Sequence, residues 1–508
     1  MLIPDYGWLS IVPPLLAIVL ALLLRQVIPA LLAGVWVGAI ILNGNPFIAF
    51  LRVGDTYLVD SLANKDHATI ILFSMILGGM IGVLSRSGAT TALVDSVSSR
   101  ITNRRNGQVA SAAMGLIVFF DDYANTLLVG NTMRPLTDKL RISRQKLAYI
   151  IDSTAAPVAT IAVISTWIGF EVGLIQDALV RISADSSAYV LFLRSLPYNF
   201  YPILTLFFVF GIAITGRDFG PMKKAEDLAY GKQADPVSES VKSRQPIKSM
   251  LAGVLPILVL VGATILGLLL DGMNKAGPGA SLREVFSAAD SFAVLMWSSL
   301  SSAIVAIALS KLFGLLTMDQ AVEAWLEGAK KMLIAFVILI LAWSIGAVCE
   351  DLGTAPFLVS AVGDELPSVL LPLVTFILAA LVSFATGTSW GTMAILVPII
   401  VPIAASMAGA IGIEGQLVPA TVSSVLAGAV FGDHCSPISD TTILSSMAAG
   451  SDHIDHVRTQ LPYAMTVAAV AVVTGYLPVG FGLSPWISLL IGCILLSLII
   501  RFVGKKSY

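Results

Sequence analysis

Six ionisable residues stand among Gly, Pro, Ser, Thr and Asn inside otherwise apolar stretches: Asp121, Asp122, Asp152, Asp433, His434 and Asp440. Ionisable groups at membrane depth are expensive and mark functional sites. The run Gly432-Asp433-His434-Cys435-Ser436-Pro437-Ile438-Ser439-Asp440-Thr441-Thr442 sets two carboxylates among hydroxyls, Ser436 and Thr441 included. Three further polar patches resemble it in character. Asp121 and Asp122 are followed by Asn125 and Thr126, Asp152 by Ser153 and Thr154, and Gly387-Thr388-Ser389 carries hydroxyls without a charge. An all-oxygen donor set of this kind suits a hard monovalent cation rather than a soft metal. Na⁺ is the candidate ion, with Asp152, Asp433 and Asp440 as its carboxylate ligands. Broken helix ends would add carbonyls for cations and N–H groups for anions.

Each of these residues has a blander reading. Asp433 and Asp440 could instead cap broken helix ends, although burying a carboxylate only to cap is costly. Of Asp121 and Asp122, one is expected to bind an ion while the other holds the turn. His434 is either a proton-sensitive group or a satisfied buried imidazole. The cluster Asp452-His453-Ile454-Asp455-His456 reads as a solvated polar turn with a pH-sensing role. No Walker A sequence, GxSxG elbow or HExxH motif is present. The chain is therefore not read as an enzyme or an ATP-driven pump, and movement should be driven by ion gradients. No cofactor is expected.

The elements that position these residues follow from composition. Of 508 residues, 56% are hydrophobic and 12% charged, against about 25% charged in soluble proteins. The mean hydropathy is +0.88. This is an all-α polytopic membrane protein. A net charge of −2 gives no reason to propose a nucleic-acid partner. Three dispersed cysteines offer neither a disulfide framework nor a metal motif. Met1–Trp8 holds no Lys or Arg, so the first apolar run is expected to stay as a helix.

A hydrocarbon core of ~30 Å needs roughly 20 apolar residues per crossing. Spans are expected near 9–25, 27–43, 68–85, 147–170, 198–216, 249–270, 291–313, 331–349, 417–449, 462–482 and 485–503. The segment 217–248 holds seven basic residues, 134–146 five and 86–107 four, which places all three in the cytoplasm. The stretch 108–133 lies between two of these basic segments. It must enter and return on one side, as a re-entrant hairpin, and 369–405 is the matching hairpin from the outside. This topology puts 24 of the 30 basic residues inside. The N-terminus is then outside and the C-terminus in the cytoplasm, in the cell's inner (plasma) membrane.

The halves repeat in order and spacing. Met80–Leu84 recurs as Ser344–Val348 at an offset of 264, and Phe119–Thr126 aligns with Phe384–Gly391 at 265. Each half holds five spans and one hairpin. Because five is odd, the second copy is inverted, the architecture of secondary transporters with a midplane site. The expected domains are a first repeat, 1–216, with hairpin 108–133 and broken helix 147–170, and a flexible cytoplasmic linker, 217–248. The second repeat is 249–482, with hairpin 369–405 and broken helix 417–449, and an extra C-terminal helix and tail occupy 483–508.

The stretch Phe431-Gly432-Asp433-His434-Cys435-Ser436-Pro437-Ile438-Ser439-Asp440-Thr441-Thr442-Ile443 resembles the signature of the NhaC family of sodium/proton antiporters. Phe120–Asn125 and Thr386–Gly391 resemble that family's two hairpin tips, and the likeness runs from about Ala33 to Tyr463. Many members carry Asn where this chain has His434-Cys435, and lack Pro437. The resemblance implies the ion-transporter superfamily fold, with inverted repeats and paired hairpins. It implies exchange of Na⁺ for H⁺ at buried carboxylates. Some relatives exchange ions for small organic solutes such as amino acids or dicarboxylates, the alternative function here. It also implies a homodimer through 9–43 and 249–313.

Overall fold

The computed structural model describes residues 6–506 apart from 25, 90–91, 93–100, 185, 232–245, 281–284, 286–287, 355–356, 358–366, 410–414 and 438. Among the described residues the elements are helices, except for Arg217–Asp218 paired antiparallel with Lys505–Lys506. Seven of these helices are long and apolar enough to cross a membrane, and the pair Ala188–Tyr198 and Phe200–Thr215, bent by 49°, makes an eighth if counted as one span. Five expected crossings pass as single helices: 68–85, 249–270, 291–313, 462–482 and 485–503. The first two apolar stretches form shorter helices, and both arms of 369–405 are each long enough to cross.

Two expectations need correction. The stretch after residue 170, which no expected span covers, is helical over Thr166–Arg181 and Ala188–Ser195. Thr166–Arg181 is buried on nearly every side, its Glu171 and Asp177 included, as befits a helix surrounded by others. The expected flexible linker begins as ordered structure. Residues Gly220–Gly231 form a helix whose Glu226 is buried, and Asp218 before it is buried against Lys146 and Tyr463. The remainder, 232–245, lies outside the described residues.

Eleven helices frame the polar interior. We label them α1 (Arg104–Ile117), α2 (Asp122–Lys139), α3 (Arg144–Thr154), α4 (Ala156–Ala159), α5 (Thr166–Arg181) and α6 (Phe200–Thr215). The second half contributes α7 (Leu371–Thr386), α8 (Ser389–Met407), α9 (Leu417–Cys435), α10 (Asp440–Ala449) and α11 (His453–Ala471). Helices α1, α2 and α3 pack mutually, α10 packs on α2 and α3, and α7 with α8 brackets α9. Glycine permits two of these approaches. A Cβ on Gly115 of α1 would sit 2.0 Å from Thr154 Oγ1, and one on Gly432 of α9 would sit 2.2 Å from the Ala380 carbonyl.

Candidate functional site

Proline chemistry breaks the two helices that carry the central carboxylates. α3 stops at Thr154 with Ala155 at φ −88°, ψ −90°, and Pro157 lies in the first turn of α4. α9 stops at Cys435, and Ser436 turns extended (ψ 128°) before Pro437. At the second break Ser436, the residue before proline, is steered out of the α region. At the first, Pro157 lacks the N–H that a continuous helix would need, and its ring crowds the carbonyl four residues back. The freed backbone is then satisfied by side chains. Asn125 Nδ2 donates to the carbonyls of Gly115 (2.7 Å), Val118 (3.1 Å) and Thr154 (2.9 Å), fastening the α1–α2 turn to the break in α3. Ser436 Oγ donates to the Phe384 carbonyl (2.7 Å), fastening the break in α9 to α7.

Asp152 is enclosed by donors. Gln460 Nε2 donates to Oδ2 (2.6 Å), Thr442 Oγ1 to Oδ2 (3.2 Å) and Ser445 Oγ to Oδ1 (3.3 Å). Two imidazoles flank it, His456 Nε2 at 3.4 Å and His434 Nε2 at 3.9 Å. Gln460 also donates to the His434 carbonyl (2.6 Å). His434 is held through both nitrogens, Nδ1 against Tyr201 OH (2.6 Å) and Nε2 against Ser153 Oγ (3.1 Å).

Asp433 and Asp440 lie across the break from each other, joined by Thr441. Thr441 Oγ1 donates to Asp433 Oδ2 (3.0 Å), and Thr441 N donates to Asp440 Oδ1 (2.8 Å). Tyr123 OH donates to Asp440 Oδ2, linking α2 to α10. The N-cap of α10 is Ser439, not Asp440, which sits in the first turn. Asp433 lies inside the last turn of α9. Asp433 Oδ1 and Asp122 Oδ1 are buried and accept no hydrogen bond from the described residues, and the same holds for Asn125 Oδ1 and Thr126 Oγ1.

A cavity of about 380 Å³ brings three segments to one surface: Asp121, Asp122 and Tyr123 from the first turn, Thr388, Ser389 and Trp390 from the second, and Asp440 and Thr441 from the broken helix. Lys331 and the apolar Leu127, Met332, Ile334 and Ile338 complete its wall. Gly387 ends α7 at φ +69°, where glycine is favoured, and Thr388 caps α8 through Gly391 N (3.2 Å). Helix α5 ties the two turns together. Thr166 N donates to the Phe120 carbonyl (2.9 Å) and Thr166 Oγ1 to Asp121 Oδ2 (3.1 Å), while Phe170 packs on Trp390 with ring centroids 4.4 Å apart. A larger cavity of about 570 Å³ lies apart, walled by Arg141, Lys224, Arg458 and Asp455. Of the residues singled out from the sequence, only Asp452 and Asp455 of the 452–456 cluster line it, and none of the candidate cation ligands does, so the chemistry is assigned to the smaller one.

The cluster 452–456 is the start of a helix rather than a turn, with Asp452, Ile454 and Asp455 exposed and His456 turned inward. His456 is buried beside Asp152, and His453 bridges Ser446 Oγ (3.0 Å) and the Pro437 carbonyl (2.7 Å). Asp452 caps α11 through Asp455 N (3.0 Å). Gln460, His456, Ser445, Tyr201 and Trp390 were missed as site residues. The signal for two of them was available: His456, Gln460, Tyr463 and Val467 are buried at helical spacing on one face of α11. Among the described residues, no three His, Cys, Asp or Glu side chains form a cluster arranged to hold a metal ion.

The fold is that of membrane transporters. The structure matches the YdaH transporter of Alcanivorax borkumensis with a TM-score of 0.60 at 17% identity, over 89% of each chain. It matches MtrF of Neisseria gonorrhoeae, an antimetabolite efflux pump, at 0.57 and 15% identity, over 89% of this chain and 84% of that one. Identities this low speak to the fold alone. The family follows from sequence: residues 158–481 match the model of the Na⁺/H⁺ antiporter family, and the chain belongs to that family. It is 36% identical to an uncharacterized protein of Haemophilus influenzae over 98% of this chain and 95% of that one. It is also 36% identical to the malate-2H⁺/Na⁺-lactate antiporter of Bacillus subtilis, over 23% of each chain.

Proposed function

We propose that this integral membrane protein exchanges Na⁺, or a similar monovalent cation, for H⁺ by alternating access. The cation and the proton compete for the buried carboxylates Asp433 and Asp122 and for Asp440, which is exposed and lines the cavity. The observation that carries this reading is the pair of bare carboxylate oxygens, Asp433 Oδ1 and Asp122 Oδ1, in segments that meet around one cavity. A buried carboxylate left without a donor is stabilised either by a proton or by a cation. That is the requirement for competitive exchange. Asp152, already enclosed by donors, fixes the geometry of His434 and the two breaks. The proposed frame is two inverted repeats, N-terminus outside and C-terminus in the cytoplasm, and the proposed assembly is a homodimer.

One observation favours a second reading, coupled transport of a small organic solute. The cavity is far larger than a bare monovalent cation, and it pairs the Lys331 ammonium and Trp390 with an apolar wall. A solute with a carboxylate and an apolar body would fit such a lining, and the Bacillus subtilis relative is an antiporter of malate and lactate. Vesicles containing the purified protein and a pH dye separate the two. Proton movement on adding Na⁺ alone supports the exchange reading; proton movement only when an amino acid or dicarboxylate accompanies Na⁺ replaces it with the second.

A further inference from the structure

Outside the cavity, a further carboxyl is fully buried in α5. Glu171 stands in α5 within Thr166-Trp167-Ile168-Gly169-Phe170-Glu171-Val172-Gly173-Leu174-Ile175, the lone charged side chain of that run. It is 0% exposed. Thr160 Oγ1 donates to Oε1 (2.6 Å), and Oε2 is buried without a partner.

The charges of the surrounding elements are committed elsewhere. On α5 itself, Asp177 and Arg181 pair at 2.9 Å, and Arg181 also reaches Glu350 of Leu333–Asp351 at 2.8 Å. On Lys65–Arg86, His67 lies 3.5 Å from Asp177, Arg86 pairs with Glu323 (2.7 Å), and Lys65 is exposed. Asp351 accepts from Tyr57 (3.0 Å), and Cys349 beside it is buried near Arg181. On Ala188–Ser195, Arg194 donates to the Gly415 carbonyl (3.4 Å) and Tyr189 to that of Val163 (3.1 Å). Helices α4 and α8 contain no ionisable side chain. Among the described residues, no cation on these elements pairs with Glu171.

We propose that Glu171 is a second proton-binding site, separate from the aspartates at the cavity, and that it releases its proton when α4 and α5 move apart. Fully buried and with one hydroxyl donor, an ionised carboxylate here would be strongly disfavoured, whereas the neutral acid is accommodated. The site is also placed to sense movement. Its partner Thr160 ends α4, with its N–H bonded to the Ala156 carbonyl (3.1 Å), and so continues from the break beside Asp152. Glu171 belongs instead to α5, whose first residue is tied to Phe120 and Asp121 at the cavity. Displacing one anchor relative to the other parts the Thr160–Glu171 pair and admits water to the carboxyl.

This inference rests on the exchange reading only in letting the proton count per cycle report on Glu171; its protonation is tested without transport. Infrared spectra of the full-length protein in lipid, in H₂O and D₂O, should show a protonated-carboxyl band at neutral pH that disappears in Glu171→Gln. In Thr160→Ala, which keeps the acid and removes its donor, the same band should shift to higher frequency. In vesicles, the null-point of Na⁺ and pH gradients should show one proton fewer per cycle in Glu171→Gln. A wild-type spectrum without the band, or one unchanged in both variants, overturns the proposal. A band that is lost in Glu171→Gln while the proton count stays constant also overturns it, leaving Glu171 a structural acid. If the wild type moves no protons with Na⁺, the exchange reading falls, while persistence of the band through alkaline pH in both Na⁺-bound and Na⁺-free protein would overturn release at Glu171.

Discussion

Asp152 and Asp433 both sit in the last turn of a helix broken one or two residues ahead of a proline, yet their surroundings differ. Both Asp152 oxygens accept hydrogen bonds, from Gln460, Thr442 and Ser445. Asp433 has one hydroxyl donor on Oδ2 and none from the described residues on Oδ1. A carboxylate with its lone pairs filled holds neighbours in place, because withdrawing it strands their donors. A carboxylate with an empty oxygen can still gain a ligand. Two similar local motifs thus supply an anchor and a receptor, and the difference lies in what packs against them.

The largest expected effect falls on the receptor. Asp433→Asn should lower Na⁺-driven exchange at least ~100-fold, the consequence of losing about 3 kcal/mol of interaction with a charged group, and should abolish thermal stabilisation by Na⁺. Wild-type exchange in this variant would reverse the assignment. Asp152→Asn should act first on the fold. We expect a loss of about 2 kcal/mol, read as a melting temperature lower by several degrees, while the apparent Na⁺ affinity of the folded fraction stays within about threefold of wild type, as expected for sites that couple weakly. A selective loss of Na⁺ affinity without a change in stability would make Asp152 a ligand after all.

Gln460→Leu probes the anchor from the other side, leaving the Asp152 carboxylate and the His434 carbonyl each short of a donor. Its stability cost should be about 1–2 kcal/mol and non-additive with Asp152→Asn, with a coupling of at least ~0.5 kcal/mol in a double-mutant cycle; strict additivity would break the anchor picture. Tyr123→Phe removes the hydroxyl that reaches Asp440 and should change apparent Na⁺ affinity about fivefold, the equivalent of ~1 kcal/mol, with little change in melting.

The smallest effect is expected away from both aspartates, at Glu226 of Gly220–Gly231. Burial pushes its carboxyl above the ordinary 4.5, and Asp218 adds to the shift, while Lys146, Ser143 and Arg104 oppose it. The folded protein therefore holds this proton more tightly than the unfolded chain. The resulting stability is complete below pH 4.5 and is lost as pH rises through the raised range. Glu226→Gln, neutral throughout, should flatten that decline by on the order of 2 °C in melting temperature and leave Na⁺-driven exchange intact.

Much of this protein was legible in its residues. Scarcity of charge dictated the membrane class, and the two prolines marked where helices must break, because proline acts on its own N–H and on the residue before it. The carboxylates and hydroxyls flanking those breaks were readable as rare polar groups in apolar runs. The helix Thr166–Arg181 was less so, since Glu171, Asp177 and Arg181 interrupt its apolar run even though packing buries it on nearly every side. His456 and Gln460 were hidden by adjacency to charged residues at the start of α11, although their spacing continued its buried face. Which aspartate would be satisfied and which left open was decided only in three dimensions. The contacts that settle it span 281 residues for Ser153 with His434, 290 for Asp152 with Thr442 and 308 for Asp152 with Gln460. Backbone rules reach only a few residues along the chain, whereas the choice of hydrogen-bond partner depends on which helices the packing brings together.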